Sequence, residues 1–549
     1  MLTRWIVALV SFSRRFAVWV VLAFAAAVVA MAVFTADHLK INTDIDQLLA
    51  ANLDWRVRET ELAKAFPQKQ DRLVIVVDGA NADLAETGAE KLAEALRKRP
   101  DLFKTVVRPD AIPYFQKHGL LLLSKQELSS TLDSLIQAQP LLGSLAKDPS
   151  LRGLFSTMEL AIQGVNRGQT DYKNVAGSFA LMAQVVEANL KGIPMILPWQ
   201  SMMTSSQPTV RDLRKYILVQ PVLDFSALSP GNKATHAVRD LATELNLTPA
   251  YGINVRLTGS VALNDEEFAS VAEGAGLATA VSVFLVILLL YLALRSWRII
   301  IPILLTLFAG LIATTCLAMA TVGSLNLISV AFAVMFVGMA VDFGIQFGVR
   351  FRDEHHKEPD TIAAMLSTAR LIAPPLTFAA AASTLGFMAF IPTSYRGVSE
   401  LGIIAGSGMV IAYLFNLTLL PALLSLFKPP AEPEAVGYRW AAPLDRALKT
   451  HRKKLLIATG AMALIALLVA TQMRFDFDPL NLKNPKAESV ATMFDIMKDP
   501  MATPYTVEIL APSSDAATRI AGQLERLPEV DHALTLASYV PDDQEEKIA

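Results

Sequence analysis

The sequence predicts a polytopic α-helical membrane protein that also carries folded α/β segments outside the membrane. Hydrophobic residues make up 53% of the 549 residues and charged residues only 18%, a balance too apolar for a soluble protein of several domains. The apolar residues cluster into runs that reach the about 20 residues a helix needs to cross a bilayer. Two stretches between these runs alternate strand-like and helix-like patterns. Together these observations predict the fold class.

Seven apolar runs are predicted to span the bilayer. The first has basic residues in front of it and is longer than the apolar region of a signal peptide, so we expect a retained anchor. A cleaved signal peptide is the alternative, although no small-x-small cleavage site follows the run. The predicted spans cover about 16–36, 274–294, 299–322, 325–349, 371–391, 400–427 and 454–472.

Basic residues are concentrated in alternate loops, which predicts an orientation. The positive-inside rule places the basic loops and the N-terminus in the cytoplasm. Residues 37–273 and 473–549 are then expected on the outer side. The basic positions that carry this prediction include Arg14, Arg15, Arg295, Arg298, Arg350, Arg352, Lys357, Arg370 and the cluster that ends at Lys454.

These spans divide the chain into six predicted segments. The linker between the bundle and the last span begins with a run rich in proline and acidic residues, which is typical of a hinge. The segments are 1–36 (cytoplasmic segment and first span), 37–273 (outer domain), 274–427 (five-span bundle), 428–453 (cytoplasmic linker), 454–472 (seventh span) and 473–549 (a second outer segment).

The segment after the linker has the same order of features as the N-terminus, which predicts an internal repeat. Each copy reads basic cluster, apolar span, helix-like stretch, strand, amphipathic helix and short strand. The strand, helix and short strand are 72–78, 84–99 and 103–107 in the first copy, and 505–510, 516–527 and 530–536 in the second. We therefore expect the chain to hold only the start of a second copy. The rest of that outer domain and about five further spans would lie beyond it.

Two strand–helix–strand units, 72–107 and 215–259, predict two small α/β sandwiches in the first outer domain. A helical insertion over 124–190 separates them, and 192–203 is apolar and rich in Met and Pro. Two interpretations of this last segment stay open, a buried core loop and a flexible lining for a bulky apolar ligand. The second predicts a substrate path along Met195, Trp199, Met202 and Met203.

Asp342 is the strongest functional candidate, because it lies in the middle of the fourth predicted span. A carboxylate there costs roughly 2.5–3.5 kcal/mol and therefore favours a functional role. Gln346 and Arg350 follow at helical spacing, so their shared face is predicted to point at the bundle interior or a wet crevice. Burial favours the neutral carboxylic acid, which lets such a group exchange protons near physiological pH. An acid that only binds a neighbouring helix is the alternative.

Small and hydroxyl-bearing residues accompany this acid. Gly338 precedes it by one turn, and Gly344 and Gly348 follow it, so close approach of another helix is expected. The fifth predicted span carries hydroxyl groups that we expect to hydrogen-bond into the same interior. These are Thr377, Ser383 and Thr384.

Other function classes are disfavoured by the sequence. A net charge of −2 provides no basic field for nucleic acid, and no Gly-Lys-Ser/Thr loop predicts nucleotide binding. No nucleophile–base pattern indicates an enzyme. His355 and His356 have no further His or Cys nearby, so we predict a solvated charged loop and no metal site. The only cysteine, Cys316, permits no disulfide within the chain.

The order of spans and outer segments resembles the resistance–nodulation–division (RND) superfamily of proton-driven exporters. Gly338-Met-Ala-Val-Asp342-Phe343 is similar to the Gly-x-x-x-Asp-Tyr motif in the fourth span of its mycobacterial-membrane-protein-large-like (MmpL-like) branch. The resemblance implies that Asp342 is a proton-relay residue with a counterpart in a tenth span. It also implies periplasmic porter-type domains on a bacterial inner-membrane protein. Phe343 stands where Tyr is usual, so a hydroxyl that would assist the relay is absent.

The segment Arg256-Leu-Thr-Gly-Ser-Val-Ala-Leu-Asn-Asp-Glu-Glu-Phe268 resembles the hopanoid-biosynthesis-associated members of this superfamily. Those members are implicated in moving hopanoid lipids from the inner to the outer membrane of Gram-negative bacteria. The resemblance implies export of an apolar lipid, with the proton-motive force as the energy source and no cofactor. Exporters of drugs, fatty acids or polypeptides are alternatives, as is a sterol-sensing-type receptor that binds lipid without pumping.

The oligomeric state has two interpretations at this stage. A homodimer is expected because the apparent half-transporter needs a partner bundle. A truncated chain explains the same observation equally well. Membrane lipids are the other expected partners.

Overall fold

The computed structural model describes residues 2–148, 150–168, 172–190, 209–430, 442–476, 478–499, 503–540 and 544–548. The chain divides into two compact units. The helical unit contains Met1–Arg58, Asp224–Ser229 and Phe268–Leu482. The α/β unit contains Glu59–Leu223, Pro230–Glu267 and Lys483–Ala549.

The helices of the described residues are named here in chain order. They are α1 (Leu2–Arg15), α2 (Ala17–His38), α3 (Asp54–Ala65), α4 (Ala82–Arg97), α5 (Pro113–His118), α6 (Lys125–Lys147), α7 (Leu151–Asn166), α8 (Tyr172–Leu190), α9 (Val210–Leu213), α10 (Asn232–Glu244), α11 (Ser260–Leu294), α12 (Trp297–Thr321), α13 (Leu327–Val330), α14 (Phe332–Lys357), α15 (Thr361–Met388), α16 (Arg396–Phe427), α17 (Ala442–Thr450), α18 (Arg452–Ala470), α19 (Glu488–Ile496), α20 (Ser514–Leu524) and α21 (Gln544–Ile548). The strands are β1 (Ile41–Asn42), β2 (Leu73–Gly79), β3 (Phe103–Val107), β4 (Arg214–Pro221), β5 (Ile253–Thr258) and β6 (Leu325–Asn326).

Six helical segments within the described residues are long and apolar enough to cross a membrane. They are α2, α12, Ile328–Lys357 (most of α13 and all of α14), α15, α16 and α18. The second predicted span, 274–294, falls inside α11, of which the apolar stretch found among the described residues is Thr279–Leu294. The prediction of seven spans is therefore not confirmed, but the chain is a multi-pass membrane protein.

Two spanning helices are longer than the apolar runs predicted. The Asp360 side chain caps α15 by accepting hydrogen bonds from the backbone N–H groups of Ile362 and Ala363. This cap starts α15 at Thr361, ten residues before the predicted span. The fourth span likewise continues as helix to Lys357. Hydropathy marks only the part of a helix that lies in hydrocarbon, so polar helical ends are missed.

The prediction of a solvated loop at His355 and His356 is wrong. Both residues belong to the last turn of α14. His355 is buried, its ring lies 5.2 Å from that of Phe351, and its Nε2 lies 2.9 Å from the carbonyl oxygen of Pro359. The His355 ring therefore packs where α14 ends. The described residues contain no cluster of three metal-ligating side chains.

The core of the helical unit lies where α12, α14, α15 and α16 pack together. Gly344 and Gly348 face α12. A Cβ at Gly344 would lie 2.7 Å from Ile303 Cγ2, and one at Gly348 would lie 3.2 Å from Ile299 Cγ2. Close contact of α12 and α14 therefore depends on these two glycines. A Cβ at Gly338 would meet nothing within 4 Å among the described residues, so the packing expected at Gly338 is not seen.

The strands of the α/β unit form one four-stranded antiparallel sheet in the order β3-β4-β2-β5. The prediction of two separate sandwiches is wrong, because β2 pairs with both β4 and β5 and so joins the two strand–helix–strand units. Alternate residues of β2, Leu73, Ile75 and Val77, share one apolar core with α4 and α10. The two strand–helix–strand segments therefore bury their apolar faces in one common core.

The helical insertion over 124–190 is confirmed as α6, α7 and α8. Ser124 and Glu127 form a capping box that starts α6. The apolar segment 192–203 follows this insertion and lies outside the described residues. The substrate-path residues predicted there, Met195, Trp199, Met202 and Met203, therefore stay a prediction.

At the start of the predicted second copy, the predicted helix is present but the predicted strands are not. The predicted helix 516–527 is confirmed as α20. The strands predicted at 505–510 and 530–536 are wrong for the described chain, since neither segment pairs with another strand. A strand needs a partner for its backbone groups, and Val507 is 89% exposed. An apolar alternation predicts the tendency to pair but does not provide the partner.

Candidate functional site

Asp342 lies near the middle of α14, and its side chain is exposed. Gln346 Nε2 donates a 2.7 Å hydrogen bond to Asp342 Oδ2. The two residues are one helical turn apart, so the sequence spacing alone creates this contact. The pairing expected between Asp342 and Gln346 is therefore present in the structure.

The face that carries Asp342 points away from the packed bundle. Phe336, Phe343 and Phe347 are buried on the packed side of α14, whereas Val334, Gly338 and Asp342 are exposed at successive four-residue steps. The bundle interior expected for Asp342 is therefore not observed within the described residues. The physical reason is that the bulky phenylalanines take the core side and leave the opposite stripe uncovered.

Of the other residues expected beside Asp342, Gln346 contacts its carboxylate, whereas Arg350 and Phe343 make contacts elsewhere. Arg350 pairs with Asp353 at 3.3 Å and with Glu354 at 3.2 Å, so its guanidinium is engaged at the end of α14. Phe343 is 2% exposed and contributes packing to the core. Gln346 is the one described hydrogen-bond partner of the carboxylate.

The hydroxyl residues of α15 do not converge on Asp342 in the described structure. Thr377 Oγ1 lies 2.6 Å from the carbonyl oxygen of Ala373 and 2.7 Å from the hydroxyl oxygen of Tyr413 on α16. Ser383 and Thr384 are half-buried, and no described hydrogen bond joins either of them to the acid. Thr377 therefore links α15 to α16.

Two polar residues of α16 were missed by sequence reasoning. Tyr413 bonds Thr377, as described above, and Asn416 is buried with its Nδ2 donating to the carbonyl oxygen of Ala412 at 2.8 Å. Asn416 Oδ1 accepts no hydrogen bond from any described residue, and a Cβ at Gly344 would lie 3.3 Å from it. The available signal was the isolated tyrosine and amide within an apolar run.

The α/β unit contains a compact network of ion pairs. Asp78 Oδ1 accepts from Arg214 Nε at 2.7 Å and Asp78 Oδ2 accepts from Arg256 Nη2 at 2.5 Å. Asp495 Oδ2 accepts from the same two arginines, at 2.7 Å from Arg214 and 2.9 Å from Arg256. These ion pairs therefore hold α19, which lies in the C-terminal part of the sequence, against strands β2, β4 and β5.

The electrostatics of the network follow from this geometry. Burial opposes ionisation of Asp495, but hydrogen bonds from Lys498, Arg256 and Arg214 outweigh it and lower its pKa to about 2. Burial also opposes the charge on Arg214, and the two carboxylates more than offset it and raise the pKa of the guanidinium. Both groups are therefore charged throughout the physiological range.

A cavity of about 1000 Å³ lies beside this network in the α/β unit. Its lining is strongly charged and includes Arg211, Lys215 and Lys498 together with Asp110 and Asp499. Arg211 pairs with Asp499 at 2.8 Å, and Lys215 lies 3.6 Å from Asp110. Several charges of the lining are therefore neutralised in ion pairs, and most of its accessible surface is apolar.

Comparison with known proteins identifies the family. The model of the MMPL family matches residues 49–454. The hopanoid transporter HpnN of Rhodopseudomonas palustris is 42% identical over 549 residues, which cover all of this chain and 63% of the relative. The protein of the same name from Burkholderia multivorans is 41% identical over 552 residues, with the same coverage. A putative membrane protein of Streptomyces coelicolor, SCO0839, is 26% identical over 257 residues, 43% of this chain and 35% of the relative.

The two hopanoid transporters cover this chain from end to end, whereas the chain spans 63% of their length. The family match includes the helices that carry Asp342, Thr377 and Asn416. Both of these relatives are named as transporters and not as enzymes. The chain belongs to the MMPL family.

Proposed function

We propose that the intact protein exports an apolar lipid of the hopanoid class, driven by the proton-motive force. The observation that carries this proposal is a carboxylate, Asp342, in the middle of a spanning helix of an MMPL-family chain. Two relatives that match the whole chain are named hopanoid transporters, which supports the substrate class. The drug, fatty-acid, polypeptide and receptor alternatives are not favoured by these relatives.

The exposed position of Asp342 supports a relay that needs a second group of helices. A carboxylate facing lipid at mid-span is costly, so such residues face a protein interior or a wet cavity. The stripe Val334, Gly338 and Asp342 therefore requires a cover. We propose that the cover is a second bundle with its own relay acid, either in the remaining length of the protein or in a second copy of this chain.

Proton movement at this site supplies enough energy to shift a conformational equilibrium. A membrane potential of 100 mV contributes about 2.3 kcal/mol for each charge that crosses. Protonation of Asp342 removes a charge from the contact with Gln346 and from the covered interface. The two protonation states therefore favour different packings of α14 against its cover.

The placement in the cell follows from the same proposal. The protein lies in the bacterial inner membrane with its N-terminus in the cytoplasm, because basic residues are concentrated in alternate loops. The α/β unit is then a periplasmic porter-type domain that conducts the lipid outward. Its cavity, lined by Arg211 and Lys498 among others, is the described recess in this domain where part of the lipid could bind.

The substitution Asp342→Asn tests the proposal in cells that depend on this transporter. The amide keeps the shape of the side chain but removes proton exchange, so hopanoid content of the outer membrane should fall to the level of a deletion strain. Glu358→Gln, an exposed acid beyond the end of α14, is the matched control and should leave lipid content unchanged. Lipid analysis of separated membranes gives the readout, and membrane insertion is checked by immunoblot. Normal outer-membrane hopanoid in the Asp342→Asn strain would refute the proposal.

A further inference from the structure

The first helix, α1, has two chemically distinct faces. Ile6, Val10 and Ser13 are buried, and the helix packs against α15 and α16. Trp5 is 76% exposed and Phe12 is 57% exposed on the opposite side. Part of α1 therefore belongs to the core of the helical unit, and part of it is an uncovered aromatic surface.

This aromatic surface continues into the first spanning helix. Phe16 separates the two helices with a non-helical backbone (φ −109°, ψ 32°), while its N–H donates to the Phe12 carbonyl and its carbonyl accepts from the Val20 N–H. Phe16 and Trp19 are 42% and 73% exposed. Positions 5 and 12 fall on one side of α1, which has 3.6 residues per turn. The exposed rings of α1 are therefore followed directly along the chain by exposed rings at the start of α2.

The length of α2 places this aromatic surface at a membrane boundary. α2 has 22 residues, which rise about 33 Å and already match the about 30 Å hydrocarbon core. The 14 residues of α1 therefore lie past the core, while their packing on α15 and α16 keeps them beside the spanning helices. Aromatic side chains are enriched at this depth because their rings tolerate both apolar and wet surroundings.

The charged residues of α1 have one sign. Arg4, Arg14 and Arg15 are its only charged side chains, so the helix has no acid to neutralise them. Arg4 and Arg15 are exposed, and the Arg15 guanidinium carbon lies 5.7 Å from the centre of the Phe16 ring. Arg14 Nε is buried and finds no acceptor among the described residues. The exposed guanidinium groups of Arg4 and Arg15 match the phosphate oxygens of a lipid headgroup.

We propose that the exposed face of α1, formed by Trp5, Phe12, Arg4 and Arg15, binds the anionic phospholipid headgroups of the adjacent leaflet. The rings enter the headgroup boundary and the guanidinium groups bind phosphate. A phospholipid surface fits better than a protein partner, because the exposed rings of α1 adjoin exposed apolar side chains of the spanning helix α2 and the charged residues of α1 are all positive. This anchor is separate from the transported lipid, so it holds α1 in place whatever the substrate is.

The depth of α1 is tested with a spin label at Ala8, which is exposed between Trp5 and Phe12. The full-length protein with Cys316→Ala and Ala8→Cys is reconstituted in phosphatidylglycerol–phosphatidylcholine bilayers. Power saturation with oxygen and with an aqueous nickel reagent should place the label at the interface, protected from nickel. A label at Thr518→Cys, on exposed α20, is the aqueous control. Nickel access at position 8 equal to that at position 518 overturns the proposal.

The headgroup preference is tested by lipid retention. Native mass spectrometry of the full-length protein from mixed phosphatidylglycerol and phosphatidylcholine should show preferential phosphatidylglycerol binding. In the variant Arg4→Gln/Arg15→Gln this preference should fall at least about fivefold, since each surface arginine contributes about 1 kcal/mol. The charge-matched control Arg519→Gln/Arg526→Gln changes arginines of the α/β unit and should retain the preference. Equal preference in the two double variants contradicts the assignment of the site to α1.

Discussion

Asp342 and Gly344 are two residues apart on α14 but meet opposite environments. The carboxylate is exposed and bonded to Gln346, whereas Gly344 is pressed against Ile303 and Asn416. The sequence predicted a special role for the acid because a charge is rare in an apolar run. It did not predict which side of α14 the acid would face, because that depends on where Phe343 and Phe347 find partners in α12 and α16.

The substitution Gly344→Ala tests the tight contact between α12 and α14. The added Cβ would lie 2.7 Å from Ile303 Cγ2, so we expect thermal unfolding in detergent to show a loss of about 1–3 kcal/mol. Gly386→Ala is the matched control, because its Cβ would meet nothing within 4 Å, and alanine favours a helix over glycine. A Gly344→Ala protein as stable as the Gly386→Ala protein, or more stable, would contradict the tight contact between α12 and α14.

Asp265 is a second acid whose environment sets its chemistry. It is 7% exposed, its Oδ1 accepts from the Gly231 N–H at 3.2 Å, and burial raises its pKa to about 6. Since the folded protein favours the neutral acid, ionisation weakens the fold as pH rises through about 6, and the difference disappears below the ordinary pKa of 3.8. Asp265→Asn should therefore stabilise the protein by roughly 1–3 kcal/mol at pH 8 and by little at pH 4. Denaturation at the two pH values measures this, and equal effects at both would contradict it.

The helices were easier to predict than the sheet. Spans such as α12 and α16 follow from local apolar runs, and α6 starts at a capping box that is legible in the sequence as Ser124 and Glu127. The sheet order joins β2 to β4 across more than 130 residues, as in the pairing of Asp78 with Arg214. No local pattern specifies that pairing, nor the attachment of α19 through Asp495.

The attachment of α19 is tested by Asp495→Asn. Loss of the charge should weaken the bonds to Arg214 and Arg256 and lower the local opening free energy of 488–496 by roughly 1–2 kcal/mol. Hydrogen exchange of the full-length protein measures this opening. Glu529→Gln, an exposed acid, should leave the exchange of α19 unchanged.

The pH dependence of this attachment has a defined direction. The folded pKa of Asp495 is about 2, below its ordinary value of 3.8. The attachment is therefore at full strength above about pH 4 and is lost as pH falls through about 2. A lower opening free energy of 488–496 at pH 6 than at neutral pH would contradict the ion-pair account.

At the scale of the whole molecule, one face of the bundle is uncovered among the described residues. The chain spans 63% of the length of two relatives, and the stripe of Val334, Gly338 and Asp342 finds no packing partner among the described residues. We propose that a second bundle covers this face. Composition and motif predicted the family, whereas the identity of the cover depends on contacts that the described residues do not show.

The central claim, that Asp342 moves protons, is tested most directly by proton flux. The full-length protein is reconstituted in vesicles that contain hopanoid and a trapped pH-sensitive dye, and a membrane potential is imposed. We predict proton flux in the wild-type protein, none above background with Asp342→Asn, and wild-type flux with Glu358→Gln. Equal proton flux in the wild-type and Asp342→Asn proteins would contradict the claim.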